Sequence, residues 1–133
     1  MARIAWIEDD HEKIHSLVRL LERDGHTILP YSSWQEVKDQ IETVCACDAI
    51  ILDIILPPVE DDPYLGLSVL EQLRKEHGYQ GPVVVCSRAQ NPVVLQELRE
   101  LGVAEILRKP VRPSVLYEVV TKALAESTRE TPQ

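Results

Sequence analysis

Residues 49–57 read Ala-Ile-Ile-Leu-Asp-Ile-Ile-Leu-Pro, and no other stretch constrains the fold as much. Apolar residues rich in Ile run into a single carboxylate, Asp53. A short continuous apolar run of this kind predicts a strand buried on both faces, not the half-buried strand of an open antiparallel sheet. An ionised Asp at the end of such a strand is costly to desolvate unless a cation meets it. Taken alone, Asp53 is as consistent with an aspartate capping a turn as with a reactive group.

The same signature recurs along the chain, each time followed by a helical pattern. A strand over 3–7 ends in Glu8-Asp9-Asp10, and Asp10 is placed to cap a helix carrying Ile14, Leu17, Val18 and Leu21. Gly25 suits the left-handed stop of that helix. A second strand covers 27–31, where Pro30 points to a sheet edge. Ser33 and Glu36 have capping-box spacing before a helix bearing Val37, Ile41 and Val44. After the 49–57 strand and an acidic loop over 57–66, Leu67, Leu70 and Leu73 mark a helix that Gly78 ends. The run 83–87 is a β-branched strand, and Asn91-Pro92 supplies a cap and first-turn proline for a helix with Leu95, Leu98 and Leu101. Gly102 closes it. A fifth strand over 104–108 precedes a helix opened by Pro113, with Leu116, Val119, Val120, Ala123 and Leu124 facing inward. Residues 1–126 are therefore expected to form one domain and 127–133 a polar, frayed tail. Five strand-then-helix units with two-sided strands predict an α/β fold, a five-stranded parallel sheet doubly wound with helices on both faces.

Composition narrows the partners. A chain of 133 residues suits a single core, and a net charge of −8 argues against nucleic acid or an anionic membrane. No apolar run approaches the roughly 18 residues needed to span a bilayer, and the N-terminus lacks the zones of a signal peptide. Three cysteines, an odd number, suggest reduced thiols and a cytoplasmic setting. Cys45 and Cys47 lack the further ligands of a tetrahedral site, and His11 and His15, four apart on one helix, lack a third. Cys86 reads as a core residue. Glu60, Asp61 and Asp62 in the 57–66 loop read as a solvated acidic surface.

In an open parallel sheet the ligand site lies beyond the C-terminal strand ends, where strand order reverses. The residues expected there are Glu8 and Asp9 after the first strand, Asp53 after the third, Ser87 at the end of the fourth and Lys109 after the fifth. Three clustered carboxylates call for positive charge, and an all-oxygen set suits Mg2+. One Mg2+ and the Lys109 ammonium together balance three carboxylates. Asp53 is then a candidate nucleophile toward a phosphoryl donor, with Lys109 and the Ser87 hydroxyl placed for the oxygens of the transferred group.

In these residues the chain resembles a response-regulator receiver domain, the phospho-acceptor module of two-component signalling. The resemblance rests on Ile7-Glu8-Asp9-Asp10, Leu52-Asp53 with Pro57 four residues on, Val85-Cys86-Ser87 and Arg108-Lys109-Pro110, and it extends from Arg3 to about Ala125. It implies a flavodoxin-like fold. Mg2+ would be held by Glu8, Asp9, Asp53 and the backbone carbonyl of Ile55. Asp53 would accept phosphate from a sensor histidine kinase or histidine phosphotransfer protein, and an altered surface on the fourth helix, fifth strand and fifth helix would reach an effector protein. It implies no turnover of an external substrate. Nothing after Ala125 reads as a DNA-binding or catalytic segment, so a stand-alone receiver or a piece of a longer protein is expected.

Three features depart from the family pattern. Ile106 replaces the Tyr or Phe found three residues before the lysine, so no phenol is available to swing. Arg88 follows the Ser87 hydroxyl where a small residue is usual; it either shields a phosphoryl group or projects into solvent. Ile55 and Ala89 are apolar at positions that tune attack by water. A haloacid-dehalogenase-like phosphohydrolase would need a second Asp where Ile55 stands, and a flavodoxin-like cofactor carrier would find its phosphate repelled by Glu8-Asp9-Asp10. The remaining alternative is a degenerate receiver acting as a phosphorylation-independent interaction module.

Overall fold

The structure is a computed structural model that describes residues 1–56, 64–88 and 90–130. The acidic residues 60–62 of the 57–66 loop, Ala89 and the end of the tail lie outside the described residues. The elements run β1 (Arg3–Ile7), α1 (His11–Ile14), a 3-10 turn (His15–Val18), α2 (Arg19–Arg23), β2 (Thr27–Tyr31), α3 (Trp34–Asp39), α4 (Ile41–Cys45), β3 (Ala49–Leu52), α5 (Leu65–Lys75), β4 (Val83–Ser87), α6 (Pro92–Glu100), β5 (Glu105–Arg108) and α7 (Pro113–Glu130).

All five strands are parallel, in the order β2-β1-β3-β4-β5. Because successive side chains point to opposite faces, each central strand contributes to two cores. Ala5, Ile7, Ile50, Leu52, Val83 and Val85 face one side and meet Val37, Val44, Leu70 and Leu98. Ile4, Trp6, Ile51, Val84 and Cys86 face the other and meet Val18, Leu21, Leu116 and Val120. Burial on both sides is what makes 4–7, 49–52 and 83–86 continuous apolar runs. β2 lies at the edge, consistent with Pro30, which is exposed there. The chain leaves β1 for β2 on one side and returns to β3 on the other. The crevice at this reversal opens between the ends of β1 and β3.

Several local expectations need correction. The first helix is not continuous: a tighter 3-10 turn interrupts it, and within that turn Leu17 and Val18 are both buried. The second helix breaks at Gln40, whose backbone (φ −123°, ψ 30°) leaves the helical region, yet Val37 and Val44 stay buried on either side. Ser33 caps Glu36 N–H as expected at 3.2 Å. The returning Glu36 carboxylate, however, accepts from the Ser32 N–H at 3.1 Å instead of from Ser33. Asp10 occupies the cap position of α1 without a side-chain capping bond; only its carbonyl accepts, from Ile14 N–H at 3.2 Å. At the other end of the chain, α7 reaches Glu130, so residues 127–130, read from the sequence as tail, continue the helix.

One arginine closes the end of the sheet opposite the crevice. Arg74 on α5 donates from Nε to the Leu101 carbonyl (3.0 Å), from Nη1 to those of Tyr79 and Gly81 (both 2.8 Å) and from Nη2 to that of Gly102 (3.2 Å). These are carbonyls of chain turns, which lack ladder partners. The guanidinium therefore ties α5 to the turns that enter β4 and β5.

Candidate functional site

Glu8, Asp53 and Lys109 are placed by backbone bonds that continue the sheet past its strands. Glu8 N–H donates to the Tyr31 carbonyl at 3.0 Å, holding the end of β1 against β2. Asp53 N–H donates to the Ile7 carbonyl at 2.9 Å, so Asp53 stays in register beside β1. Lys109 N–H donates to the Ser87 carbonyl at 3.0 Å and keeps the end of β5 on β4. Ser87 closes β4 next to β5, paired with Arg108. The sequence-predicted residues Glu8, Asp53, Ser87 and Lys109 thus emerge from adjacent strand ends.

Lys109 joins two of the acids. Its ammonium donates to Glu8 Oε1 at 2.5 Å and to Asp53 Oδ2 at 3.0 Å. The other Asp53 oxygen, Oδ1, accepts the Ile55 N–H at 3.0 Å. Glu8, Asp53 and Ser87 are 2%, 6% and 2% exposed, the buried polar or charged side chains among the described residues of a largely apolar interior. Burial raises the Glu8 carboxyl to about 7; the Lys109 bond opposes this and the Asp53 charge adds to it. Burial by itself would lower the Lys109 ammonium, but its bonds to Glu8 and Asp53 outweigh that and hold it above its usual range.

The cleft above these groups is lined by Asp9, Asp10, Asp53, Ile55, Arg88 and Lys109. Counting Glu8, which bonds Lys109 beneath it, four carboxyl groups face two cations, so acids outnumber cations even with Glu8 protonated. Carboxylate oxygens of Glu8, Asp9 and Asp10 lie within 4.8 Å of one another. A hard divalent cation fits this all-oxygen set and the local charge. Asp53 is not part of that tight trio but faces it across the cleft. Among the described residues the cysteines and His11 and His15 form no such group. His11 instead donates to the Trp6 carbonyl (3.2 Å) and accepts from the Ser32 hydroxyl (3.3 Å), while His15 pairs with Glu22 at 2.8 Å. Cys86 is 3% exposed, and burial pushes its thiol up to about 12, as suits a core residue.

The family model of the response regulator receiver domain matches residues 4–121. The chain belongs to this family. Among curated relatives, the receiver is 25% identical over 127 residues to the transcriptional regulatory protein CpxR of Escherichia coli, covering 96% of this chain and 51% of that protein. It is 24% identical over 128 residues to the osmosensing histidine protein kinase SLN1 of Saccharomyces cerevisiae, covering 92% of this chain and 10% of the kinase. The chain thus spans about half the length of one relative and a tenth of the other. In three dimensions it is similar to a CheY-like response regulator receiver domain protein from Methanospirillum hungatei, with a TM-score of 0.84 at 23% identity over 98% of this chain and 99% of that one. NtrX from Brucella abortus gives a TM-score of 0.79 at 25% identity over 97% of this chain and 28% of that one. The flavodoxin-like architecture expected from the resemblance is the one observed.

The receiver's departures also find their places. Ile106 is half-buried on β5, paired with Val85 and packed on the first core. Arg88 is exposed, but it lines the acidic cleft as well as facing solvent.

Two residues escaped sequence reasoning. The spacing of Asp10 predicts a helix cap, and only the fold turns its carboxylate to the cleft. Gly66 begins α5 directly against the Asp53 turn: its N–H donates to the Ile54 carbonyl at 2.8 Å. A Cβ there would overlap the Asp53 carbonyl oxygen and come within 2.5 Å of Ile54 Cα. The one signal was a glycine inside a helix start, a place where close backbone approach is a common reason. Among the described residues no helix is long and apolar enough to cross a membrane.

Proposed function

We propose that this receiver accepts a phosphoryl group on the Asp53 carboxylate from a phosphohistidine of a sensor histidine kinase or histidine phosphotransfer protein. The observation that carries this reading is the state of Asp53. It is a nearly buried carboxylate with one oxygen on the Lys109 ammonium and the other on a backbone N–H, facing a cluster of three acids. In the transfer an Asp53 oxygen bonds to phosphorus while the P–N bond breaks, and the imidazole leaves with the electron pair. Lys109 holds the acceptor oxygen and neutralises charge on the incoming group, and the Ser87 hydroxyl donates to one of its oxygens. Glu8, Asp9 and Asp53, with the backbone carbonyl of Ile55, would hold Mg2+, and Asp10 stands close enough to join them. Bound there, the ion supplies positive charge to the phosphoryl oxygens.

The chain turns over no external substrate in this reading; it promotes only its own phosphorylation and its slow reversal. The product shifts a two-state equilibrium at the strand ends. With Ile106 in place of an aromatic, the change is read out by repacking on β5 and its neighbours, not by exposure of a phenol. The output is contact with a downstream effector protein in the cytoplasm, without direct binding of nucleic acid or membrane, and residues 1–126 suffice for it.

Labelling by acetyl phosphate with Mg2+ tests the reading. Wild type gains the mass of one phosphoryl group and Asp53→Asn gains none. Absence of label and of Mg2+ binding in wild type would identify a phosphorylation-independent interaction module instead. Turnover of a phosphate ester would identify a phosphohydrolase.

A further inference from the structure

Arg88 stands where the acidic cleft passes into a second groove, lined by Ile14, Leu17, Val111 and Pro113; the two share Asp10, Arg88 and Lys109. Its position follows from the strand ends. Ser87 points into the interior and Arg88 is the next residue out, while the Ser87 carbonyl holds Lys109 N–H at 3.0 Å. The two cations of the cleft therefore leave neighbouring strands side by side.

They differ in what they already hold. The Lys109 ammonium is shared between Glu8 and Asp53. Arg88 forms no ion pair among the described residues. An arginine beside a cleft with excess negative charge, yet bound to none of it, retains its full donor capacity. Phosphorylation of Asp53 replaces one negative charge by about two at the spot where Lys109 is already committed to a second acid. A guanidinium presents paired N–H donors in a planar fork that fits two phosphoryl oxygens at once, which an ammonium does not.

We propose that Arg88 is a second phosphoryl-binding cation of this site, closing its guanidinium over the oxygens of phospho-Asp53 and covering the face from which water would attack. The inference rests on Asp53 being the acceptor. Arg88 forms no new covalent bond; it stabilises the phosphorylated state and slows its hydrolysis.

The test compares wild type, Arg88→Ala, Arg88→Lys and Arg99→Ala, the last removing the same charge from the exposed face of α6. Each is labelled with acetyl phosphate and Mg2+, and loss of the mass label is followed. Each is also titrated with fluoroberyllate, a phosphoryl mimic, while arginine Nε–H resonances are observed by NMR. Arg88→Ala is expected to shorten the phospho-form's lifetime and weaken fluoroberyllate binding by about tenfold each. Arg88→Lys falls between, because it keeps the charge and loses the fork, and Arg99→Ala matches wild type. One Nε–H resonance, absent from Arg88→Ala, shifts when fluoroberyllate binds. If wild type is labelled but Arg88→Ala agrees with it to within about twofold in both measurements, Arg88 is a solvated side chain and the inference fails alone. If wild type takes neither label nor mimic, the acceptor reading fails and this inference with it.

Discussion

The Lys109 ammonium lies nearer to Glu8, at 2.5 Å from Oε1, than to Asp53, at 3.0 Å from Oδ2. The residue that pairs the Asp53 carboxylate is thus anchored by a second buried acid across the crevice, and each group's charge depends on the other.

Glu8 gives the metal-free protein a specific pH dependence. Its carboxyl is raised from an ordinary 4.5 to about 7 in the folded chain, mainly by burial. A raised value means that the stability Glu8 contributes is fully present below about 4.5 and lost as pH rises through about 7. In a chelating buffer, Glu8→Gln should therefore gain stability relative to wild type as pH goes from about 5 to about 8. Thermal melts across that range check this. Parallel curves for the two proteins would show that Glu8 ionises freely.

Removing the cation leaves two buried acids facing each other. Lys109→Met is expected to lose roughly 3 kcal/mol at neutral pH, because a buried carboxylate without its partner is strongly destabilising. It should also take little label from acetyl phosphate. Urea denaturation measures the first effect and intact mass the second. A stability equal to wild type would mean that proton uptake by Glu8 relieves the pair as well as Lys109 does.

Gly66 and Gly78 make a controlled comparison. Gly78 has φ +65° with open space around it, so Gly78→Ala costs about 1 kcal/mol of left-handed strain and leaves phosphorylation unchanged. Gly66→Ala forces a methyl group against the Asp53 carbonyl and costs about 2 kcal/mol by overpacking. It should also slow labelling, since the displaced segment carries Asp53 and Ile55. Equal labelling rates for both variants would show that the close approach at Gly66 does not position the acceptor.

Arg74 holds four turn carbonyls from a single guanidinium. Arg74→Lys, which keeps charge but not the fork, should lose about 2 kcal/mol, and Arg74→Ala about 3 kcal/mol. Amide exchange should accelerate first at the start of β5, beside Leu101 and Gly102. Uniform acceleration across the sheet would argue against a local clamp.

The phospho-form should persist for many minutes. Ile55 is half-buried and apolar beside Asp53, and the corresponding residue after Ser87 is an alanine, so neither side chain orients a water for attack. Decay followed by intact mass in Mg2+ measures the lifetime. Loss within seconds would mean that another group supplies the missing polar contact.

The strand positions were legible in the sequence for a physical reason. A strand covered on both faces has no polar side, so Ile4 to Ile7, Ala49 to Leu52 and Val83 to Cys86 each appear as an uninterrupted apolar run. The helix stops at Gly25, Gly78 and Gly102 were equally legible, since all three carry the positive φ that glycine tolerates. Placement at strand ends alone directs Glu8, Asp53, Ser87 and Lys109 to one crevice.

Only the tertiary structure decided how those groups share charge. Lys109 and Glu8 are 101 positions apart, and their contact depends on β1, β3, β4 and β5 lying side by side. No local pattern encodes that order. The same holds for Asp10, whose helix-capping spacing concealed a carboxylate facing the cleft, and for Gly66, whose need for hydrogen in place of a Cβ comes from backbone twelve residues earlier. It holds also for the breaks at residues 15–18 and at Gln40, where helical periodicity yields to packing on the sheet. Local chemistry sets which segments form strands and which residues end them. Whether a buried carboxylate meets a cation or a second acid is settled only when distant strand ends converge in a medium too poor in water to screen them.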